Sequence, residues 1–466
     1  MKDTSGPNVT YLRSVILITF VTAVGGFLFG FDNGAISGSS AAIQERFGLG
    51  PAGIGWVTSS IIVGCVIGVV VAGRLSDAIG RKKVLLGTAL VFTVGAVLEA
   101  LAPSTNMLVA ARVLVGVGIG VETTIAPLYI AEVAPARLRG RLVSFNQFFN
   151  TIGNLAIFTV SAVISQSNTA TWNVDYGWRW IFAAGVVPAL VFVGLLYLVP
   201  ESPRWLAKHG RDEAALTVLT RITDSTGAAS AQLATIRAAL AGESRAGLRE
   251  LWAPGLRKAL VIGFGVALFQ QITGINAIFY YAPEVFKAAG LGTGSAMLST
   301  VLVGVVLVLA TLVSMWLIDK VGRRSLLLFG ATFMTLSLGA VGILFRDPGR
   351  YSYLLVVLVL VYVAVFAVSF GTVAYVVISE IFPTNVRGLA ASIATFALWG
   401  GNFLVSQLFP VLTATIGSSS TFFIFATTSL IALVFTYTLV PETRGRTLEE
   451  LTHTLGITPR ASNIPL

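Results

Sequence analysis

The chain has 466 residues, of which 55% are apolar and only 11% are charged. Because a soluble protein carries about 25% charged residues, this composition excludes an ordinary soluble enzyme and favours a membrane protein with many spans. The formal net charge is +10, but the basic residues lie in short clusters between apolar runs. Short basic clusters of this kind are typical of membrane proteins, in which they set the orientation, and not of nucleic-acid-binding proteins.

Residues that usually hold metals or perform covalent chemistry are scarce. The single cysteine, Cys65, lies inside an apolar run, and the two histidines, His209 and His453, lie in polar segments. The sequence therefore predicts no disulfide, no metal site and no cofactor. It contains no glycine-rich phosphate loop and no nucleophile–base constellation, so we expect neither an ATP-driven pump nor an enzyme.

Twelve apolar runs are long enough, at about 20 residues each, to cross a membrane as helices. We call them spans 1 to 12. They begin near Ser14, Ala52, Val84, Asn106, Leu142, Trp178, Leu256, Ala296, Ser325, Tyr353, Leu389 and Thr421. Two amphipathic segments between the two groups of six, Asp212–Ile222 and Ala229–Leu240, predict surface helices. The sequence thus predicts an all-α membrane protein organised as 1–200, a linker at 201–252, 253–440 and a tail at 441–466.

The basic residues indicate the orientation. An even number of spans places both termini on one side, and cytoplasmic loops are rich in Lys and Arg. With cytoplasmic termini, all but six of the 31 basic residues fall in cytoplasmic segments. The exceptions are Arg46, Arg112, Arg179, Lys287, Arg346 and Arg350. We therefore expect a multi-pass protein of the cell membrane with both termini in the cytoplasm, in the inner membrane if the source is bacterial.

The two halves of the sequence repeat each other. Glu132-Val-Ala-Pro135 followed by Arg139-Gly140 returns 248 residues later as Glu380-Ile-Phe-Pro383 followed by Arg387-Gly388. Gly153-Asn154 returns at the same offset as Gly401-Asn402. A duplicated six-span unit is typical of secondary transporters, which bind substrate between their repeats.

Further motifs narrow the family. The segment Gly73–Arg81 is echoed by Asp319–Arg323, and Pro200-Glu-Ser-Pro-Arg204 by Pro441-Glu-Thr-Arg444. Span 7 carries Gln270-Gln271-Ile-Thr-Gly-Ile-Asn276. With these motifs the chain resembles the sugar porter family of the major facilitator superfamily, and in particular bacterial proton-coupled xylose and glucose symporters. The resemblance implies two six-helix bundles, short cytoplasmic helices between them, and a central site that opens alternately to each side.

The charged residues of these motifs lie at span ends that we predict to be cytoplasmic. Ion pairs there can hold the two halves together in one state and break in the other. The alternative is that the charges only set the topology, since surface pairs alone are weak. The resemblance favours a cytoplasmic latch. Its candidate residues are Asp77, Arg81, Glu132, Arg139, Glu201, Arg204, Asp319, Arg323, Glu380, Arg387, Glu442 and Arg444.

Asp32 lies inside span 1, where a charge costs about 2.5 kcal/mol or more. Arg112 is the only basic residue inside a span, and a rise of about 1.5 Å per residue puts both in the outer half of the membrane. We expect a pair that couples transport to protons, because a nearby guanidinium favours the ionised carboxylate and separation favours the neutral acid. The alternative is a static ion pair. Glu122 in span 4 is either a second titrating group or a structural one, and Glu99 is expected to reach the membrane interface.

Amide side chains mark the substrate site. A polar face of span 5 carries Gln147, Asn150, Thr151 and Asn154 at helical spacing, and Gly274 permits a break in span 7. Amides suit sugar hydroxyls but also join helices, and the pattern leaves both roles open. The resemblance implies that Gln147, Gln270, Gln271 and Asn276 contact sugar. With aromatic and other polar candidates, the predicted substrate-binding residues are Phe29, Gln147, Asn150, Gln270, Gln271, Asn276, Tyr280, Tyr375, Trp399 and Asn402.

Some positions depart from the family pattern. Gly185 stands where some xylose symporters carry a second carboxylate, and Tyr375 stands where many relatives have tryptophan. We expect import of a monosaccharide, a hexose or a pentose, by proton symport. The alternatives are a facilitative sugar uniporter and a proton-coupled polyol or inositol symporter. The expected partners are the sugar or polyol, protons and the lipid bilayer, with the protein acting as a monomer.

Overall fold

The computed structural model describes residues 9–134, 139–223, 225–241, 256–382, 386–445 and 450. Every regular element within these ranges is helical, as predicted. The first six spans are Val9–Phe47, Pro51–Ile79, Arg81–Leu101, Thr105–Val133, Arg139–Gln166 and Ala170–Leu196. Three short helices follow, at Pro203–Lys208, Asp212–Ile222 and Thr226–Ala241. The last two correspond to the predicted surface helices.

The second group of spans begins at Leu256. Spans 7 to 10 are Leu256–Ala288, Thr293–Val321, Arg323–Leu344 and Ser352–Ile381. Span 7 consists of two helices, Leu256–Ile272 and Ile275–Ala288. Gly274 lies between them with φ of 98°, a conformation that glycine adopts without strain. The predicted break in span 7 is therefore confirmed.

Spans 11 and 12 follow each other directly within one helical segment, Arg387–Leu439. Its apolar part, Leu389–Leu439, has 51 residues, or about 77 Å at 1.5 Å per residue. That is more than twice the hydrocarbon thickness of about 30 Å. Gly417 interrupts it with φ of 80° and ψ of 162°, which separates two spans. The 11 apolar helices of the described chain thus correspond to twelve spans.

Glycines allow the helices of the first half to approach closely. Gly26, Gly30, Gly34 and Gly38 recur every four residues on span 1, and each faces span 5. A Cβ on Gly30 would lie 1.9 Å from the carbonyl oxygen of Asn150, so any side chain there would force the two backbones apart. Small residues at such spacing are the usual basis of packing between membrane helices, because burial of apolar surface contributes little to helix association inside a lipid bilayer.

The described residues form two compact units. Unit 1 contains spans 1 to 6, the three short helices, Phe279–Lys287 of span 7 and Gly292–Val308. Unit 2 contains the rest of span 7, Ala288–Leu291, and the chain from Leu309 onward. Packing thus groups the C-terminal part of span 7 and the first part of span 8 with unit 1, whereas the sequence repeat places them in the second half.

Candidate functional site

Arg112 lies at the centre of a buried charge cluster in unit 1. Its side chain is fully buried, and its Nε donates to the carbonyl oxygen of Val57 at 2.9 Å. Its guanidinium lies 3.8 Å from Oδ2 of Asp32 and 3.5 Å from Oε1 of Glu99. The structure therefore brings Asp32 and Arg112 together, as their depths in the membrane predicted. Two carboxylates face one guanidinium, so the ionised cluster has a net charge of −1.

Glu99 was predicted to reach the membrane interface, and this was wrong. Its side chain is 1% exposed and lies closer to Arg112 than Asp32 does. Spans 3 and 4 form a tight hairpin, so residues near the end of one and the start of the other share a depth. The sequence locates Glu99 near the outer end of span 3, but it does not reveal which face of span 3 meets span 4.

A small cavity opens beside the cluster, with room for a water molecule. Asp32 and Glu99 supply its polar lining, and Phe31, Phe182 and Gly185 supply part of its apolar wall. Gly185 is the position at which some xylose symporters carry a carboxylate. In this chain the second carboxylate beside Arg112 comes instead from span 3.

The predicted amides of span 7 form a continuous chain in unit 2. The Nδ2 of Asn276 donates to Oε1 of Gln271, and Gln271 donates in turn to Oε1 of Gln270 at 3.4 Å. Gln270 donates to the carbonyl oxygens of Phe370 and Gly371 at 3.0 and 3.3 Å. Those carbonyls belong to a π-helical turn of span 10, Ala367–Gly371, and such turns often occur at functional sites.

Hydroxyl groups satisfy the carbonyls that the break in span 7 leaves without helical partners. Tyr362 donates to the carbonyl oxygen of Thr273, and Thr428 donates to that of Ile272, both at 3.0 Å. Irregular backbone persists at membrane depth only where other groups complete its hydrogen bonds. The break therefore belongs to the folded structure and positions Gln270 and Asn276 on either side of Gly274.

Part of the polar face of span 5 lies against span 1. Asn154 donates to the carbonyl oxygen of Asn150 at 3.0 Å, and both side chains are buried. Both residues lie against Gly30 of span 1. Gln147 is only half-buried. The Asn154–Asn150 hydrogen bond lies within span 5, and Asn150 meets Gly30 through its backbone carbonyl group. Both roles of these amides, joining helices and binding sugar, therefore stay predictions.

The remaining substrate candidates divide between the units. In unit 1, Phe29 is half-buried, and the buried Tyr280 donates to Oδ1 of Asn33 at 3.4 Å. In unit 2, Trp399 and Asn402 are buried, and Tyr375 is 46% exposed. Asn402 accepts a hydrogen bond from Ser406. Their contact with substrate stays a prediction.

Arg81 organises the motif residues at one end of unit 1. It binds the carboxylate of Glu132 through two nitrogens, at 3.1 Å each, and lies 3.2 Å from Asp77. Glu201 accepts the backbone N–H of Arg81 at 2.8 Å, so it caps the N-terminus of span 3. Lys208, in the first short helix after span 6, lies 2.8 Å from Asp77.

Unit 2 repeats this arrangement. Arg323 lies 3.0 Å from Glu380 and donates its backbone N–H to Glu442 at 2.9 Å. Thr443 donates to the Glu380 carboxylate at 2.6 Å, as Ser202 does to Glu132 in unit 1. The duplicated motifs of the sequence therefore fold into duplicated hydrogen-bond networks.

Glu442 lies outside the spans. Burial acts to raise its pKa, but the backbone N–H groups of Arg444, Arg323, Arg324 and Thr443 donate to the carboxylate, and the net effect is a lowered pKa. Hydrogen bonds to the charged form favour ionisation. Glu442 is therefore an anion at neutral pH that caps the N-terminus of span 9.

The pairs described above for the predicted latch lie inside one unit or the other. The side chains of Arg139, Asp319 and Arg387 lie outside the described part of the chain. Arg204 lies at the start of the helix Pro203–Lys208, and Arg444 donates to the carbonyl oxygen of Lys320 at 2.5 Å. A latch between the two halves stays a prediction.

Two buried carboxylate contacts were not predicted. Ser40 of span 1 donates to Glu284 of span 7 at 2.5 Å, both within unit 1. Asn146 of span 5 donates to Glu122 of span 4 at 3.0 Å. The only available signal for Glu284 was a carboxylate in an otherwise apolar segment after Pro283, and the sequence offers no partner for it by spacing.

Comparison with known proteins agrees with this architecture. The family described as Sugar (and other) transporter matches residues 18–455. The chain belongs to the sugar porter family of the major facilitator superfamily. The predicted class, a sugar transporter that spans the membrane, is thereby confirmed.

Individual proteins match this sugar porter over nearly their whole length. The arabinose-proton symporter of Bacillus subtilis is 42% identical over 450 residues, which cover 96% of this chain and 97% of the relative. The D-xylose-proton symporter of Escherichia coli is 37% identical over 480 aligned residues, covering 95% and 96%. The major myo-inositol transporter IolT of B. subtilis is 36% identical, covering 96% and 94%.

A solved structure confirms the fold. The inward open conformation of the xylose transporter XylE from E. coli superposes with a TM-score of 0.84 at 34% identity. The match covers 94% of this chain and 99% of that one. The predicted major facilitator fold, with twelve helices in two bundles, is therefore confirmed.

Proposed function

We propose that this sugar porter imports a monosaccharide, a hexose or a pentose, by proton symport through alternating access. The observation that carries the proposal is the buried cluster of Asp32, Arg112 and Glu99. Ionisable side chains inside membrane spans are costly and usually belong to ion, proton or substrate pathways. The relatives named as arabinose-proton and D-xylose-proton symporters support proton coupling.

The charge balance of the cluster favours Asp32 as the proton carrier. Glu99 lies closer to Arg112 and offsets its charge, which leaves Asp32 as the surplus carboxylate. Oδ2 of Asp32 has no hydrogen-bond partner among the described residues, so it can bind a proton without losing a donor. The protonated cluster is neutral, which avoids the cost of an unbalanced charge inside the membrane.

Sugar binding is assigned to the neutral amides. In the chain of Asn276, Gln271 and Gln270, amide donors are already paired with amide acceptors. A sugar hydroxyl can both donate and accept, so it can take the place of one amide partner at little cost. We extend the proposal to Gln147 and to the aromatic residues Phe29, Tyr280, Tyr375 and Trp399.

The orientation of the protein, its oligomeric state and its cytoplasmic latch belong to the same proposal. We place both termini in the cytoplasm, and the protein in the inner membrane if its source is bacterial, because basic residues concentrate in the corresponding loops. We take the functional protein to be a monomer that is not an enzyme. The duplicated networks around Arg81 and Arg323 are the proposed cytoplasmic latch.

A cyclic polyol is the second candidate substrate. The relative named as a myo-inositol transporter is 36% identical over most of both chains. The substrate class is therefore tested on a panel that contains L-arabinose, D-xylose, D-glucose and myo-inositol.

The test is proton flux in liposomes that contain the purified protein. Each compound is added outside, and internal acidification is recorded together with uptake of the labelled compound. We expect one sugar to drive proton entry, and Asp32→Asn to abolish it while counterflow exchange of labelled sugar continues. Asp175→Asn makes the same chemical change in an exposed ion pair with Arg46 and serves as the control.

Two outcomes contradict the proposal. Sugar equilibration without proton movement, unchanged in Asp32→Asn, identifies a facilitative uniporter with a static Asp32–Arg112 pair. Proton entry driven by myo-inositol and by none of the sugars identifies a polyol symporter instead.

A further inference from the structure

A second buried carboxylate lies away from the Arg112 cluster. The side chain of Glu122 in span 4 is completely buried. Its Oε1 accepts a hydrogen bond from Nδ2 of Asn146 at 3.0 Å. Its Oε2 is buried without a partner among the described residues. One donor for two oxygens leaves an ionised carboxylate poorly solvated, and burial of such a charge is strongly unfavourable.

The packing around Glu122 is built to accommodate this side chain. A Cβ on Gly25 of span 1 would lie 2.5 Å from Oε1 and 2.7 Å from Cγ of Glu122. A Cβ on Gly26, the next residue, would lie 2.4 Å from the carbonyl oxygen of Asn146 and 3.0 Å from its side-chain amide. Two consecutive glycines thus leave space for the carboxyl group and its donor where spans 1, 4 and 5 meet.

Charged groups on the surrounding helices lie elsewhere. On span 1, Asp32 is seven residues from Gly25, about 10 Å along the helix, and on span 4, Arg112 and Glu132 are each ten residues from Glu122, about 15 Å away. Arg112 and Glu132 have ion-pair partners of their own. On span 5, Arg139 and Arg141 begin the helix, with side chains outside the described part. No ion pair to Glu122 occurs among the described residues.

Spans 2 and 3 also pack against span 4, and their charged groups have other surroundings. On span 2, Arg74 is exposed, and Asp77 pairs with Arg81 and Lys208. On span 3, Glu99 pairs with Arg112, Lys82 donates to the carbonyl oxygen of Tyr197, and Lys83 is exposed.

We propose that Glu122 is a second proton-binding group of the transport cycle, which receives a proton on Oε2 and releases it toward the end of span 4 that is predicted to be cytoplasmic. The inference rests on the proposed proton symport. Gly25 precedes Asp32 by seven residues on span 1, so Glu122 lies about 10 Å from the level of Asp32 toward the N-terminal end of that span. Asp32 and Glu122 thus occupy successive depths along one path.

The chemistry of the site distinguishes a proton carrier from a helix contact. A neutral carboxylic acid accepts from Asn146 through one oxygen and carries its proton on the other, so the buried site contains no charge. The ionised form needs additional donors. The described residues supply none to Oε2, so water has to supply them. Release of the proton therefore accompanies access of water to the contact between spans 1, 4 and 5. A glutamine at position 122 would accept the same hydrogen bond from Asn146 but would have no proton to release.

The decisive variant is Glu122→Gln, reconstituted in liposomes beside the wild type. Sugar uptake is measured at fixed external pH while internal pH is varied. We expect the wild-type rate to rise with internal pH, because release of the proton inward becomes easier, and we expect Glu122→Gln to lose that dependence. Counterflow exchange reports whether the variant is folded. Thr124→Val removes a hydrogen bond to Gly120 on the same helix and is expected to retain the wild-type dependence.

Infrared difference spectra between acid and alkaline buffer provide a direct measurement. We expect the carbonyl band of a protonated carboxyl group to be lost in Glu122→Gln. If that variant does not fold, Asn146→Ala replaces it. Loss of the donor disfavours the ionised form, so the dependence on internal pH is expected to move toward alkaline values.

The outcomes separate this inference from the proposed function. An internal-pH dependence and an infrared band that are the same in Glu122→Gln as in the wild type overturn the role of Glu122, even where Asp32→Asn abolishes symport. Absence of sugar-driven proton entry in the wild type overturns the proposed function instead, and the infrared band then still decides whether Glu122 binds a proton.

Discussion

Removal of the Glu99 charge is expected to shift the pH dependence of sugar uptake toward acid. Glu99 and Asp32 lie 3.5 and 3.8 Å from the two terminal nitrogens of Arg112. In the wild type, Glu99 offsets the charge of Arg112 and repels the Asp32 carboxylate, so Asp32 binds a proton readily. In Glu99→Gln, Asp32 becomes the sole counterion of Arg112. Protonation of Asp32 then leaves the guanidinium charge unbalanced, so it requires a lower pH.

The magnitude follows from the geometry. Two carboxylates on the two sides of one guanidinium are roughly 8 Å apart, and with an effective dielectric constant of about 20 their repulsion is about 2 kcal/mol. At about 1.4 kcal/mol per unit, this corresponds to a shift of about 1.5 pH units. We therefore expect the external pH for half-maximal uptake to fall by about one to one and a half units.

The assay is the initial rate of sugar uptake into liposomes as a function of external pH, at constant internal pH. Glu99→Asp keeps the charge and is expected to stay within about half a unit of the wild type. Glu45→Gln makes the same substitution at an exposed position and controls for the change in net charge. A Glu99→Gln profile that coincides with the wild type, or shifts toward alkaline pH, would refute the charge balance assigned to the cluster.

Two further predictions concern stability. Gly30→Ala places a Cβ 1.9 Å from the carbonyl oxygen of Asn150, so we expect destabilisation of about 1–3 kcal/mol, seen as a lower unfolding temperature in detergent. A Cβ on Gly87 would meet open space, so Gly87→Ala should not lower the unfolding temperature. Equal unfolding temperatures of the two variants would contradict the close packing of spans 1 and 5. Glu442 has a lowered pKa, so its stabilising effect is present above its unfolded value of about 4.3 and disappears as pH falls through the folded value. We expect Glu442→Gln to lower the unfolding temperature at neutral pH and to approach the wild type below about pH 4, with exposed Glu213→Gln as control; a difference independent of pH would argue against the cap.

Most of the helical architecture could be predicted from the lengths of apolar runs. The helices begin within a few residues of the predicted starts, except in span 6, which begins at Ala170 and not near Trp178. The polar segment that precedes Trp178 hid this start, because Asn173–Gly177 continues the helix as a π-helical turn. The break at Gly274 was predictable because glycine and flanking amides interrupt an apolar run.

The charge cluster could be predicted only in part. Asp32 and Arg112 were matched because a buried charge needs a counterion and their depths agree. Glu99 was not matched because it was expected at the membrane interface. Glu284 was not matched because its partner, Ser40, is uncharged, so charge balance does not point to it. The same limit applies to Glu122, whose contacts with Gly25 and Asn146 could not be read from the sequence.

The sequence by itself determined the class of protein, the number of spans and the duplication, since apolar length, charge bias and repeated motifs are properties of the chain. The motifs also determined the family. The tertiary structure decided which carboxylate lies nearest Arg112, which amides bond to one another and which glycines bring spans 1 and 5 together. The physical reason is that the helical period determines which residues share a face, whereas packing determines which helix that face meets.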